Sequence, residues 1–269
     1  DEILTGHTVN TNAAFIAEKL TDIGYNVKYI SATGDSLEQM EESFRLALQR
    51  AKVIITTGGL GPTDDDLTKK AIVKVFKRNL VFHEDILEDM KARWAKRGIA
   101  MPAINQNQAL LPQGAKFFPN RSGSAVGICI AENGRTFISL PGVPREMEQI
   151  LIDDVIPYLQ GLNAGRPVKI IKLRTTGVVE SKLADILQAE LKLEPGVKLA
   201  YLPAYSGVDL RVIASDEDQE EATQKARRLE RFLESTVGKY IYGKDDDTLQ
   251  AVIGQLLTDN DRTLSVAES

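Results

Sequence analysis

One cysteine, two histidines and one tryptophan are all that 269 residues hold of the side chains that most often staple, ligate or anchor. Cys129, standing alone, cannot close an internal disulfide, and its place in the apolar run 126–131 reads as a buried structural thiol. A reducing, cytoplasmic setting fits that usage. His7 and His83 form no pair at metal-ligand spacing, which leaves little room for a histidine-based zinc site. No uninterrupted apolar run approaches the roughly 18 residues needed to cross a bilayer. With 43% apolar and 26% charged residues, the composition is that of a soluble globular protein with no membrane partner. A Gly-x-Ser-x-Gly nucleophile elbow and a Walker-type Gly-Lys-Ser/Thr are also missing. The balance of 33 basic against 38 acidic residues, net −5, offers no bulk attraction to nucleic acid or to anionic lipid.

At about 150 residues per domain, the length allows roughly two domains. Both ends look cut. The chain opens Asp1-Glu2-Ile3-Leu4, without an initiator Met, a basic n-region or a small-residue cleavage site, and 263–267 reads as a strand that stops as it starts.

Between these ends, strands and helices alternate. Ala13, Ile16, Ala17, Leu20 and Ile23 share one helical face in 12–24, with Gly24 as a stop. Residues 26–30 read as a strand, 37–50 as a helix, and 53–57 as a β-branched strand buried on both faces. Helices at 67–78, 84–97 and 105–111 follow, then strands at 126–131 and 136–140 and a helix from 144 to 159 opened by Pro144. The alternation predicts an α/β fold with a parallel sheet and helices on both faces. Gly, Asn and Pro in 161–167 read as a linker. Beyond it the order is strand 168–176, helix 180–192, strands 197–202 and 208–214, helix 217–236 and the short run 240–242, a small βαββα unit of the α+β class. Leu249, Val252, Ile253, Leu256 and Leu257 have core-facing helical spacing and, with 263–267, would open a third unit. The expected divisions are therefore 1–162, 165–243 and 244–269.

The chemistry concentrates in Thr57-Gly58-Gly59-Leu60-Gly61-Pro62-Thr63-Asp64-Asp65-Asp66-Leu67-Thr68, which joins a strand to a helix at the carboxyl end of the sheet. Glycines there let backbone amides approach a phosphate, and the helix N-terminus adds partial positive charge. Three successive carboxylates would repel an anion unless a divalent cation lay between, and Mg²⁺ binds through one or two carboxylates plus substrate oxygens. Phosphate with metal is one reading; a glycine turn followed by acidic helix caps is the other. Pro141-Gly142-Val143-Pro144-Arg145-Glu146-Met147 repeats the strand-turn-helix arrangement, with Glu146 either capping the helix or facing the same crevice. Asp35, in Thr-Gly-Asp-Ser, stands at a comparable strand end, as a functional carboxylate or a turn residue.

Taken with Asn10 to Asn12, and with Asn105-Gln106-Asn107-Gln108-Ala109-Leu110-Leu111-Pro112, these strings resemble the CinA family of competence/damage-inducible proteins over nearly the whole chain. The resemblance implies a MoaB/MogA-like molybdopterin-binding domain, a KH-like domain and a nicotinamide-mononucleotide deamidase domain. It further implies metal-dependent hydrolysis of ADP-ribose to AMP and ribose 5-phosphate, with Mg²⁺, Mn²⁺ or Co²⁺ held by Asp65 and Asp66. Asp35 and Asp66 match the functional aspartates, and Gly58, Gly59, Gly61 and Thr68 the phosphate loop. Asn12, Thr63, Asn105, Gln108, Asn120, Pro141, Gly142 and Glu146 complete the expected substrate site. Ser265-Val266-Ala267-Glu268-Ser269 resembles the start of the deamidase motif, with Ser269 at the nucleophile position, so deamidation is not expected from these residues alone. Where the family reads Asn-x-x-Gly-Thr-Ala-Pro-Gly, this chain has Asn120-Arg121-Ser122-Gly123-Ser124-Ala125-Val126-Gly127, which loses the proline and keeps the glycines and a hydroxyl. A homodimer is the implied assembly. A molybdopterin or nucleotide binding module without hydrolysis is the alternative function. Residues 165–243 carry 13 Lys/Arg against 12 Asp/Glu and no Gly-x-x-Gly clamp, which argues against a nucleic-acid partner.

Overall fold

In the computed structural model, which describes residues 2–162, 167–204, 206–265 and 267, chain contacts separate two compact units. One comprises 1–21 and 25–162, the other 22–24 and 163–269. The middle of the expected linker (163–166) and Ser269 lie outside the described residues.

In the first unit, α1 (Thr11–Asp22) and α2 (Leu37–Arg50) precede β1 (Val53–Thr57), followed by α3 (Thr68–Phe76), β2 (Leu80–Phe82) and α4 (Glu84–Lys96). A 3₁₀ segment (Ala103–Ala109) leads into β3 (Leu110–Pro112), and β4 (Lys116–Phe118), β5 (Gly127–Glu132) and β6 (Arg135–Leu140) follow. The main sheet has the order β1-β6-β5-β4. β1 runs parallel to β6, while β6–β5 and β5–β4 are antiparallel, so the sheet is mixed around one parallel pair. The β5–β6 turn places Asn133 and Gly134 at φ 52° and 71°, the left-handed pair that a two-residue hairpin requires. Beneath the sheet, Phe137 is fully buried with Phe44 and Phe76 edge-on at 4.9 and 5.3 Å, and Ile72, Met90 and Leu111 close the core around them.

Several expectations change here. Residues 26–30 form no strand: Tyr29 and Ile30 are 58% and 62% exposed, and a β-branched pattern without a neighbouring ladder remains merely extended. β1 is half-buried along most of its length rather than buried on both faces. The 105–111 helix is instead 3₁₀, in keeping with asparagines whose side chains compete for backbone bonds. The single helix expected after Pro144 is α5 (Pro144–Ile150), a π turn (Leu151–Val155) and α6 (Ile156–Leu162). The widened turn lies just before Pro157, which has no N–H to give and whose ring would crowd the carbonyl four residues back in a regular helix.

The second unit is β7 (Val168–Thr175), α7 (Glu180–Gln188), β8 (Val197–Ala204), β9 (Gly207–Ser215), α8 (Gln219–Val237) and β10 (Ile241–Lys244). It is an antiparallel sheet ordered β10-β7-β9-β8, with the βαββα order expected. Leu173, Leu183, Leu187, Leu210, Val212 and Leu233 form its core. The last helix, α9 (Leu249–Asp259), carries the expected apolar residues but, against expectation, buries none of them; Ile253 and Leu256 are 41% and 57% exposed. The described residues of 263–267 form no strand. No helix among the described residues is long and apolar enough to cross a membrane.

Candidate functional site

The twelve-residue string from Thr57 to Thr68 is a loop clamped at both ends. At its start, Gly58 N donates to Leu140 O at 3.0 Å, which fastens the end of β1 to the end of β6 and sets the loop beside the Pro141-Gly142 turn. Gly58 and Gly59 take φ values of +96° and +65°, a region other residues rarely enter. At its end, Thr68 N donates to Gly59 O (3.1 Å) and Thr68 Oγ1 to Gly58 O (2.9 Å). A Cβ on Gly59 would fall on that hydroxyl, and one on Gly61 would fall on the Asp66 carboxylate. A larger residue at either position would displace a side chain of the same loop.

Asp66 folds back on the loop. Its Oδ2 accepts from Thr63 N (3.0 Å) and Thr63 Oγ1 (2.6 Å), and its own N–H donates to Thr63 O (3.1 Å). No side-chain cap bonds the start of α3, so the acidic residues do not serve as its caps; Asp66 ties a turn instead. Both Thr63 bonds fall on one carboxylate oxygen. Asp64 and Asp65 are exposed, as is Asp35 ahead of α2. Among the described residues no group of three or more His, Cys, Asp or Glu gathers as a metal cage. A cation here would be held by one or two carboxylates, its shell completed by ligand oxygens, which is how Mg²⁺ sits on phosphates.

Two further groups of expected residues assemble. Asn12 Nδ2 donates to Gly142 O at 2.8 Å, so α1 holds the second turn, and Gly142 packs so closely that a Cβ there would meet Gly58 Cα at 3.2 Å. Pro141 is buried beside it. Around Asn120, the side-chain oxygen accepts from the N–H groups of Ser122 (3.0 Å) and Gly123 (2.7 Å), and Nδ2 donates to Ala125 O (2.8 Å) and Glu146 Oε2 (2.6 Å). This turn closes without the proline at position 126. Glu146 makes no cap on α5; it turns toward Asn120, and a Cβ at Gly123 would occupy its carboxylate.

Asn105 and Gln108 are both buried, and with them comes a residue the sequence reading passed over. Lys69 is only 8% exposed, and its Nζ donates to Asn107 O (2.8 Å), Gln108 Oε1 (3.2 Å) and Leu110 O (3.5 Å). Burial lowers its pKa to about 8, opposed in part by the Asp66 carboxylate. Arg93 was also missed: it donates to the main-chain oxygens of Asn120 and Gly123 and pairs with Asp89 at 3.0 Å. A signal existed for each. Lys69 lies three residues before Ile72 and Arg93 three after Met90, so both cations stand on apolar helical stripes.

A glycine-clamped loop at the end of a parallel strand, in an α/β unit followed by a βαββα unit, defines the class: a molybdopterin-binding-type domain joined to a KH-like domain. Residues 1–161 match the family model described as "Probable molybdopterin binding domain", and 172–243 match "Damage-inducible protein CinA KH domain". A CinA-like protein of Gemmatimonas aurantiaca is 39% identical over 273 residues, covering 100% of this chain and 64% of the relative. One from Cytophaga hutchinsonii is 36% identical over 270 residues, covering 100% and 65%. The crystal structure of the protein CinA from Thermoplasma acidophilum is 38% identical, with a TM-score of 0.53, over 58% of this chain and 92% of that one. The chain belongs to the CinA family. It spans 64% and 65% of the length of the two curated relatives named.

Proposed function

We propose that the first unit is a hydrolase for the diphosphate of ADP-ribose, releasing AMP and ribose 5-phosphate. The observation that carries this reading is the 58–68 loop. Gly58 and Gly59 hold left-handed φ values, the two ends are clamped by Gly58 and Thr68, and the loop lies at the carboxyl end of a parallel strand, where backbone N–H groups and a helix N-terminus favour an anion. In this reading Gly58, Gly59 and Gly61 shape the phosphate seat, Thr63 and Thr68 keep it closed, and Asn12, Asn105, Gln108, Asn120, Pro141, Gly142 and Glu146 surround the nucleoside and ribose. One or two of Asp66, Asp65 and Asp35 would hold a divalent cation, which would supply Lewis-acid neutralisation of the diphosphate charge. Water adds to one phosphorus, the P–O–P bridge breaks, and the other phosphate leaves.

A second reading, a pterin or nucleotide binding module without turnover, is favoured by the absence of a three-acid cluster among the described residues. Incubating the chain with ADP-ribose and Mg²⁺, Mn²⁺ or Co²⁺ separates the two. AMP formation supports the hydrolase; saturable binding with no AMP supports the module. Deamidation of nicotinamide mononucleotide remains a proposal for a longer family member.

A further inference from the structure

Lys69 follows directly on the threonine that closes the phosphate loop, and more than nine-tenths of its surface is covered. Every oxygen its ammonium reaches is neutral: the main-chain carbonyls of Asn107 and Leu110 and the amide oxygen of Gln108. Among the described residues no carboxylate lies within ion-pair distance of Nζ. Asp66 is the charged group whose field reaches it, and that carboxylate is engaged by Thr63. Buried ammonium groups are normally paired, and an apolar side chain of similar length would fill the space without the cost of desolvating a charge. Packing alone therefore gives no reason for a lysine at this position. Hydrogen bonding gives half a reason, since the carbonyls need donors, but a neutral amide would serve them.

We propose that Lys69 is the fixed positive charge of the phosphate loop, attracting a diphosphate anion onto residues 58–68 through the protein interior without touching it. The inference rests on the reading of that loop as a diphosphate seat and not on hydrolysis. A charge held in a low-dielectric interior acts over a longer range than one in water and needs no reorganisation when the anion arrives. The same side chain braces the 3₁₀ segment that carries Asn105 and Gln108, so the charge and the nucleoside-facing turn are fixed by one residue.

The test uses the α,β-methylene analogue of ADP-ribose, whose P–C–P bridge cannot be hydrolysed, and adenosine as an uncharged probe. Both are titrated into the wild-type chain and Lys69→Gln in the presence of Mg²⁺. The expected result is a loss of about tenfold in affinity for the analogue, with adenosine affinity unchanged within about twofold. Equal losses for both probes, or an unchanged affinity for the analogue, would overturn the proposal. Should Lys69→Gln fail to fold, the wild-type pH profile decides. The analogue does not titrate between pH 7 and 9.5, so its affinity should fall as the pH passes about 8, where burial places the Lys69 pKa; a flat profile overturns the proposal. A wild-type chain that binds the analogue yet releases no AMP from ADP-ribose defeats the hydrolase reading alone. One that shows no saturable binding of the analogue defeats both.

Discussion

Thr63 engages only one of the two carboxylate oxygens of Asp66. That oxygen shapes the loop, and in the proposed site the other would meet the cation. Asp66→Asn keeps an acceptor for Thr63 but loses the charge, so the variant is expected to stay within about 1 kcal/mol of wild-type stability while metal-dependent AMP release disappears. Denaturant melts beside an AMP assay check this; full activity in a folded variant would remove the ligand assignment. Lys69 leads to a prediction about stability. Its folded-state pKa of about 8 lies below that of an unfolded lysine, so between the two values the unfolded chain binds the extra proton. The contribution of this site is poorest below pH 8 and improves as the pH climbs toward 10.5, by on the order of 3 kcal/mol in all. Subtracting the unfolding free energies of Lys69→Gln from those of wild type at each pH isolates the trend; a difference that stays flat or falls with pH would contradict it.

The loop between β1 and α3 depends on its glycines through geometry rather than through flexibility. Gly59→Ala must hold an alanine at φ +65° and place its methyl on the Thr68 hydroxyl, so a loss of about 1–3 kcal/mol is expected, together with loss of anion binding. Thermal melts and a ligand titration test this, and an alanine variant as stable as wild type would mean that the Thr68 clamp is dispensable. The same loop shows what a linear sequence can and cannot convey. Its glycine turn between strand and helix was legible because turn chemistry is written in neighbouring residues, and α2 spans the residues expected of it. Residues 26–30 misled because a β-branched pattern says nothing about whether a neighbouring strand is there to receive it. α9 misled because amphipathic spacing predicts a helix but not what covers it. Lys69 and Arg93 were hidden because their partners are main-chain oxygens, which no side-chain motif announces. That Asp66 binds Thr63 and does not cap α3 is likewise a matter of three dimensions.

For the whole molecule, we expect a homodimer with the βαββα unit against the partner's α/β unit, and light scattering at tens of micromolar should return twice the 29.6 kDa chain mass; a monomer would count against it. The second unit matches a KH model, and several of its basic residues are paired within the unit. Lys225 pairs with Asp216, Arg228 with Glu194 and Glu221, and Lys244 with Glu230 and Glu234.

The order in which the chain becomes competent follows from its sheet. β4, β5 and β6 lie within residues 116–140, β5 and β6 joined by a tight turn, whereas β1 must meet β6 across the span from Val53 to Thr136. Local antiparallel pairing closes early, and the long-range parallel pair must first overcome the entropy of a large loop. The Gly58 amide, bonded to Leu140, is protected only when that closure is made. Pulse-labelled amide exchange during refolding should show β5 and β6 protected before Gly58, and simultaneous protection would refute this order. The 58–68 loop then takes shape after the β5–β6 hairpin, and a substitution that slows the β1–β6 closure will delay the loop in a chain whose hairpin has already formed.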